Sequence, residues 1–443
     1  MIGGGLAGLA GALRLAQQGS EVVVLEASQS WGGKASGWEG LPSGPTLLTL
    51  REVPATLLHR LGADQLELTE LRPLTRYRYA DGRSFSPERA LGPTLAQLLP
   101  REGRRYGWLL AQAEQLFDGA KTTFLAAPPP GPGDLVRYAL GAGRAAHPGR
   151  SLAGLVGDDP YLSPFFLRFA TYVGANPYRA AAVLHNVAWV ELGLGSWHVV
   201  GGVRRLVDRL LEQARRLGVQ LRAGEQVSAL ERRAGRVTAA RTDSGVYRGD
   251  LFLSAADRSW TRSWLGLPPE GGQPSLSALA IALELQEAQP LSHQVLFSAD
   301  YRAEWEILQG GGLPADPTIY LHTDGRTAFL MVNAPAGSKP QTSYAAHVLA
   351  LARRRSGQAL ASLRKRGFTP ADYAAWGEGG ALYGRAPHGL LGALRPGWRL
   401  GPDNLRQVGG TVHPGGGVPL ALLSGWNGAG ELLGLPYDPL GLA

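Results

Sequence analysis

The 443-residue chain contains no cysteine. That absence excludes disulfides, thiolate nucleophiles, iron–sulfur clusters and most structural zinc sites. Lysine is nearly missing too, standing only at positions 34, 121, 339 and 365, so the net charge of +8 is carried almost wholly by arginine. The arginines are scattered, as in Arg204-Arg205, Arg209 and Arg215-Arg216, with no basic run interleaved with aromatics; nucleic acid is therefore the weaker partner class. No apolar run approaches the roughly 20 residues of a membrane-spanning helix, and no N-terminal segment has the regions of a signal peptide. A cytoplasmic chain, or one lying on a membrane surface, is expected. The histidines show no metal-like spacing, so no metal is expected.

Glycine, by contrast, is abundant, at 62 residues. A glycine-rich hexamer in such a chain is a weak signal by itself, but Met1-Ile2-Gly3-Gly4-Gly5-Leu6-Ala7-Gly8 opens the chain and Glu26 follows at the end of the apolar run Val22-Val23-Val24-Leu25. Gly3 permits a tight strand-to-helix turn, Gly5 lets the backbone approach a pyrophosphate, and Gly8 lets the helix pack closely. Leu6 and Ala7 open that helix, whose N-terminus receives the pyrophosphate, and the Glu26 carboxylate accepts ribose hydroxyls. A flavin or nicotinamide enzyme is the reading. The strand before Gly3 is reduced to Met1-Ile2, where a buried strand usually runs about five residues; a misassigned start or a trimmed chain is the expectation.

Further along, Gly32-Gly33-Lys34 suits a loop folded over a diphosphate. A helix is expected over Val53 to Leu61, a strand over Arg76 to Tyr79, and an amphipathic helix over Tyr106 to Phe117. Pro128 to Gly133 reads as a linker, and Leu135 to Val156 with Leu162 to Val173 as apolar helices of a cap that either docks on a membrane or simply packs. A helix over Val203 to Leu217 precedes strands around Val219, Gln226, Val237 and Leu251, read as one antiparallel meander. Longer strands cover Leu276 to Leu285 and Thr318 to Asn333, and Tyr344 to Arg366 reads as one long helix. The tail, Gly409-Gly410-Thr411-Val412-His413-Pro414-Gly415-Gly416-Gly417-Val418-Pro419, places a second glycine cluster before a second helix.

With these pieces in order, the chain resembles the bacterial phytoene desaturase family of FAD-dependent carotenoid oxidoreductases, from Gly3 to Ser424. The segments that carry the resemblance are Gly32-Gly33-Lys34, Gly44-Pro45-Thr46, Tyr172 to Tyr178, Ser196 to Gly202, Ser254 to Asp257 and His413 to Pro419. Gly44 to Arg51, Phe329 to Pro335 and the Trp197 segment are most similar to hydroxycarotenoid 3,4-desaturases. The resemblance implies an α/β fold: a Rossmann-like FAD-binding lobe of the GR2-type flavoproteins, interleaved with a mixed-sheet substrate lobe and a helical cap. The FAD lobe would comprise residues 1–65, 196–270 and 376–443, and the substrate lobe and its membrane-facing cap residues 66–195 and 271–375.

Carried over by residue, the resemblance implies that Gly3, Gly5, Leu6, Ala7 and Gly8 hold the FAD pyrophosphate, Glu26 the ribose, Gly32, Gly33 and Lys34 the diphosphate region, and Val227 the adenine. Gly44, Pro45, Thr46, Gly410, Gly415, Gly416, Gly417 and Val418 complete the cofactor set. Asp159 and His413 are the candidate catalytic residues, each with a duller alternative: a helix cap for Asp159 and a loop-orienting role for His413. Trp197 and His198 either line the polyene channel or pack the lobe interface, and Lys34 could be a solvated surface cation. Ser43 stands where the family usually has an acid, and Ser163 where an arginine is often found; the second change puts an Asp–Arg acid/base scheme in doubt. The substrate would be a carotenoid delivered from the membrane, with the protein peripheral on the inner membrane and quinone or oxygen as electron acceptor. The other readings are a phytoene desaturase, isomerase or ketolase, an amine-oxidase-type flavoenzyme, and a non-catalytic carotenoid or flavin carrier.

Overall fold

The computed structural model describes residues 1–146, 149–389, 392 and 394–442. Residues 147 and 148, inside the expected cap segment Leu135 to Val156, lie outside them. A parallel sheet forms the centre of the nucleotide lobe. Ile2 is bridged to Leu25 on one side and Ser254 on the other; Gln220–Ala223 pairs outside Val23–Glu26, and Leu405–Gln407 outside Phe252–Ser254. The short first strand still bonds both neighbours: the Ile2 N–H donates to Leu253 O at 2.9 Å and the Gly3 N–H to Leu25 O at 2.8 Å.

Helix Leu6–Gln17 is buried continuously from Leu6 to Leu15, as its lack of a polar stripe requires. Helix Val418–Leu432 covers it, and the contact is close enough that a Cβ on Gly11 would stand 2.3 Å from the Leu253 side chain and 3.0 Å from Gly425 O. Only Val227–Arg233, Arg236–Thr242 and Val246–Arg248 form the antiparallel meander. The other two expected strands of that stretch, Gln220–Ala223 and Phe252–Ser254, join the parallel sheet instead, because buried runs bounded by turns do not reveal their partner's direction.

The second sheet is built on Ser277–Leu296, antiparallel to Ile319–Ala334. This strand runs on through polar residues well past the expected Leu285. Ser362–Phe368 pairs with one half of it and Arg76–Arg78 with the other. A single helix from Tyr344 to Arg366 does not form: the helix is Thr342–Ser356, Gly357 ends it in the left-handed region at φ 67, and the chain returns as the strand Ser362–Phe368. A left-handed glycine is a common helix terminator, and the alternation beyond it belongs to a sheet edge.

Helix Pro100–Ala120 starts the cap, with proline in its first turn and the Glu102 carboxylate accepting from the Leu99 N–H at 3.0 Å. The remaining cap is short pieces, among them Pro132–Leu140, Leu152–Val156, Leu162–Leu167 and Asn186–Leu192. Its core is aromatic: Tyr77, Phe85, Tyr106, Phe165, Phe166 and Phe169 are all buried, and the Tyr77 and Phe165 rings meet edge to face at 4.7 Å.

Candidate active site

A cavity of about 1380 Å³ is walled by the parallel sheet, the mixed sheet and the cap together. Roughly 300–1,000 Å³ serves one small ligand, so this space suits two. Gly3, Gly5, Leu6, Ala7, Glu26, Gly32, Gly33, Lys34, Gly44, Pro45, Thr46, Val227, Gly410, Gly415, Gly416, Gly417 and Val418 all line it. Gly8 does not line it. It stands one turn into the helix, where a Cβ would sit 1.9 Å from Gly3 O.

The glycines have different reasons to be glycine. Gly3 adopts a φ of 89, which side-chain-bearing residues rarely tolerate. At Gly5 the backbone is extended and a Cβ would meet nothing closer than Gly33 Cα at 3.9 Å. Packing within the chain does not require glycine there; the open space belongs to the cavity, at the N-terminus of a helix, where anions bind. The second glycine turn is laced to the first, the Gly32 N–H donating to Gly4 O at 2.9 Å.

Glu26 is buried at the end of its strand and accepts from the Gly4 N–H at 2.6 Å and the Ser28 N–H at 2.8 Å. A carboxylate offers about four acceptor positions, so capacity for ribose hydroxyls remains. Burial pushes its pKa above the usual value, while the Ser28 and Gly4 amides pull it back. Lys34 is not a solvated surface cation: its Nζ donates to Leu382 O from the cavity wall, and burial lowers its pKa to about 8 against the pull of Asp257. Arg395, on the same wall, donates to the carbonyls of Tyr383, Arg385 and Val173 and is lowered by burial to about 10. Two cations held down by burial suit an anionic ligand. A backbone cradle, a buried carboxylate with spare acceptors and two wall cations together fit a flavin dinucleotide.

Near the tail, Gly417 reaches φ 106 and caps Val418–Leu432, and a Cβ on Gly416 would stand 2.4 Å from the Tyr383 ring. Thr46 Oγ1 is hydrogen-bonded to the Tyr320 hydroxyl at 2.7 Å, and that hydroxyl to His293 Nδ1 at 2.6 Å.

Neither expected catalytic side chain lies on the cavity wall. Asp159 Oδ1 accepts from the Tyr161 N–H at 3.0 Å and the Leu162 N–H at 2.8 Å. It holds the turn into Leu162–Leu167, a helix that begins beyond Pro160 rather than at it. Ser163, where an arginine was the family pattern, completes the turn by accepting from the Asp159 N–H at 2.7 Å. His413 is buried, its Nε2 meets Ala127 O at 3.1 Å, and burial lowers its pKa to about 4. It ties the glycine loop to the linker. Trp197 and His198 are buried on the strand Trp197–Val199, off the cavity wall.

The wall also holds groups with no local signal in the sequence. Arg168 and Tyr172 line the cavity, and Glu191 behind them accepts from Arg168 Nη2 at 2.6 Å and the Tyr172 hydroxyl at 2.5 Å. Tyr77 and Thr75 complete this buried network.

Residues 6–277 match the family model of the flavin containing amine oxidoreductases. The chain belongs to that family. A hydroxyneurosporene desaturase of Cereibacter sphaeroides is 31% identical, with 98% of this chain and 97% of the relative covered. A 1-hydroxycarotenoid 3,4-desaturase of a Flavobacterium species is 27% identical over 96% of each chain. Among solved structures, a triple mutant of putrescine oxidase is similar with a TM-score of 0.64 at 16% identity, covering 98% of both chains. An oxidoreductase from Methanosarcina mazei gives a TM-score of 0.60 at 16% identity, covering 96% of this chain and 98% of that one. These two show the shared fold. The chain is thus an oxidoreductase of a flavin-binding family, with an α/β architecture. Among the described residues no helix is long and apolar enough to cross a membrane.

Proposed function

We propose that this chain is an FAD-dependent carotenoid desaturase, and that its reaction is 3,4-desaturation of a 1-hydroxylated acyclic carotenoid. The observation that carries the reading is one cavity with two characters: a backbone-built dinucleotide cradle, and a wall of apolar cap side chains including Phe117, Phe124, Val183, Val187 and Val190. The names of the relatives with similar full-length sequences support the substrate class.

Forming a carbon–carbon double bond removes a hydride from one carbon and a proton from its neighbour. FAD, when bound, supplies the hydride acceptor. The positive charge left on the substrate spreads along the polyene, so the adjacent proton is acidic enough for water or a weak base. A cavity wall without Asp159 or His413 is compatible with that chemistry. The chain's own contribution is orientation and exclusion of water by the apolar wall, with Lys34 and Arg395 favouring negative charge at the cofactor. The same cations weigh against an amine substrate. Quinone or oxygen takes the electrons onward.

The cap offers a route for a lipid-soluble substrate. Helix Pro132–Leu140 contributes Leu135, Val136, Tyr138 and Ala139 to the cavity, yet Val136 is 58% exposed and Leu140 64%. An apolar mouth flanked by Arg137, Arg144 and Arg150 suits docking on the anionic cytoplasmic face of the inner membrane. The test is incubation of the FAD-loaded protein with liposomes carrying either phytoene or a 1-hydroxylated acyclic carotene, followed by chromatography with visible spectra. A red-shifted product from the hydroxylated substrate alone is expected; a product from phytoene moves the enzyme to an earlier step, and no product from either overturns the desaturase reading.

A further inference from the structure

Three histidines that the desaturase reading does not use come together beside the cavity. His198 lies on the strand Trp197–Val199, while His293 and His322 face each other across the ladder between Ser277–Leu296 and Ile319–Ala334. All three are buried, and one ring nitrogen from each lies within 4.8 Å of one from each of the others. The His293 and His322 rings stack with centroids 4.3 Å apart.

Two of their ring nitrogens are buried without a partner. His322 Nδ1 faces Ser292 O at 3.3 Å; a carbonyl only accepts, so Nδ1 carries the hydrogen and Nε2 a bare lone pair. His198 Nε2 lies 3.3 Å from the Asp324 carboxylate, and its Nδ1 is buried and without a partner. His293 Nδ1 meets the Tyr320 hydroxyl. Its Nε2 is buried without a partner. Buried polar atoms are almost always paired, and a cation beside the three rings answers the unpaired nitrogens of His198 and His293 at once. An outer ring nitrogen held by a carbonyl, as in His322, is also the support that orients an imidazole on a metal.

We propose that His198, His293 and His322 bind one divalent cation of the zinc class, with water in the fourth position. Imidazole nitrogens suit zinc, copper or nickel and discriminate against magnesium and calcium. The three ligands are far apart in the chain, which is why spacing does not show the site and why the expectation of no metal arises. The ion's role is structural: it ties the strand Trp197–Val199, which pairs with Leu68–Glu70, to the mixed sheet. Through His293 Nδ1 it also fixes Tyr320 and Thr46 on the cavity wall.

The test uses the full flavin-loaded chain, stripped with a chelator, reloaded with zinc chloride, gel-filtered and analysed for metal. The expected result is about one zinc per chain, lost in His322→Gln and in His198→Gln while flavin content is unchanged, and a rise in unfolding temperature with zinc but not with magnesium. Should both variants fail to fold, the zinc content and thermal shift of the unmodified chain decide. Retention of no zinc by that chain, no thermal shift, or equal zinc in folded variants overturns the proposal.

Discussion

At the nucleotide end the cavity wall is main chain. Gly3, Gly5, Gly32, Gly33, Gly410 and Gly415 to Gly417 bring backbone to the surface, and the Glu26 carboxylate there is positioned by backbone amides. At the cap end the wall is side chain: Arg168 and Tyr172, backed by Glu191, and apolar residues from several short helices. Recognition by backbone needs small residues at fixed spacing along one local turn. A wall built from side chains depends on which distant elements meet, and tolerates many sequences.

The contrast can be strained from both sides. Glu191→Ala leaves the Arg168 guanidinium buried without its carboxylate, which should cost about 3–5 kcal/mol. Urea unfolding measures it, and flavin affinity should change little, because the damage lies at the cap end. Acid acts on both ends. His185 in the cap and His413 in the glycine loop are each lowered by burial to about 4. A folded value below the unfolded one gives stability that is fully present above about pH 6.5 and declines as pH falls toward 4, by about 3 kcal/mol for each group. Denaturation midpoints that stay flat across this window would contradict it.

Gly5→Leu fills the cradle with little clash inside the chain, so flavin affinity should fall on the order of 100-fold, about 3 kcal/mol, with the unfolding temperature nearly unchanged. Gly8→Leu should instead fail to fold, since its first side-chain atom would overlap Gly3 O. Val136→Glu with Leu140→Glu should weaken liposome binding about tenfold and leave turnover of detergent-dispersed substrate intact. The smallest effect is expected for Asp159→Ala: about 1 kcal/mol of stability from the lost turn and less than about a twofold change in kcat. A general base in that position would cost about 100-fold or more.

The difference between the two ends also explains what was legible in the chain. The Gly3 to Gly8 turn, Glu26, the Gly32-Gly33-Lys34 loop and the tail glycines are each local, and each constrains the backbone where it stands. Helices Glu52–Arg60, Pro100–Ala120 and Arg204–Arg216 were legible from periodicity. Glu191 was not, because its partners Arg168, Tyr172 and Tyr77 come from separate elements. Nor was the long helix from Tyr344 correctly bounded, since arginine-rich sequence continues past Gly357 into a strand. The parallel partners of Gln220–Ala223 and Phe252–Ser254 lie in remote segments that no local turn announces.

The central claim is that one cavity holds two ligands at once, the flavin at the backbone end and the polyene at the side-chain end. Equilibrium dialysis of the protein with FAD and a detergent-dispersed 1-hydroxylated acyclic carotene, each varied against a saturating amount of the other, tests it directly. The account predicts one flavin and one carotenoid per chain together, neither displacing the other. Mutual displacement, in which saturating carotenoid drives the flavin off, would contradict it.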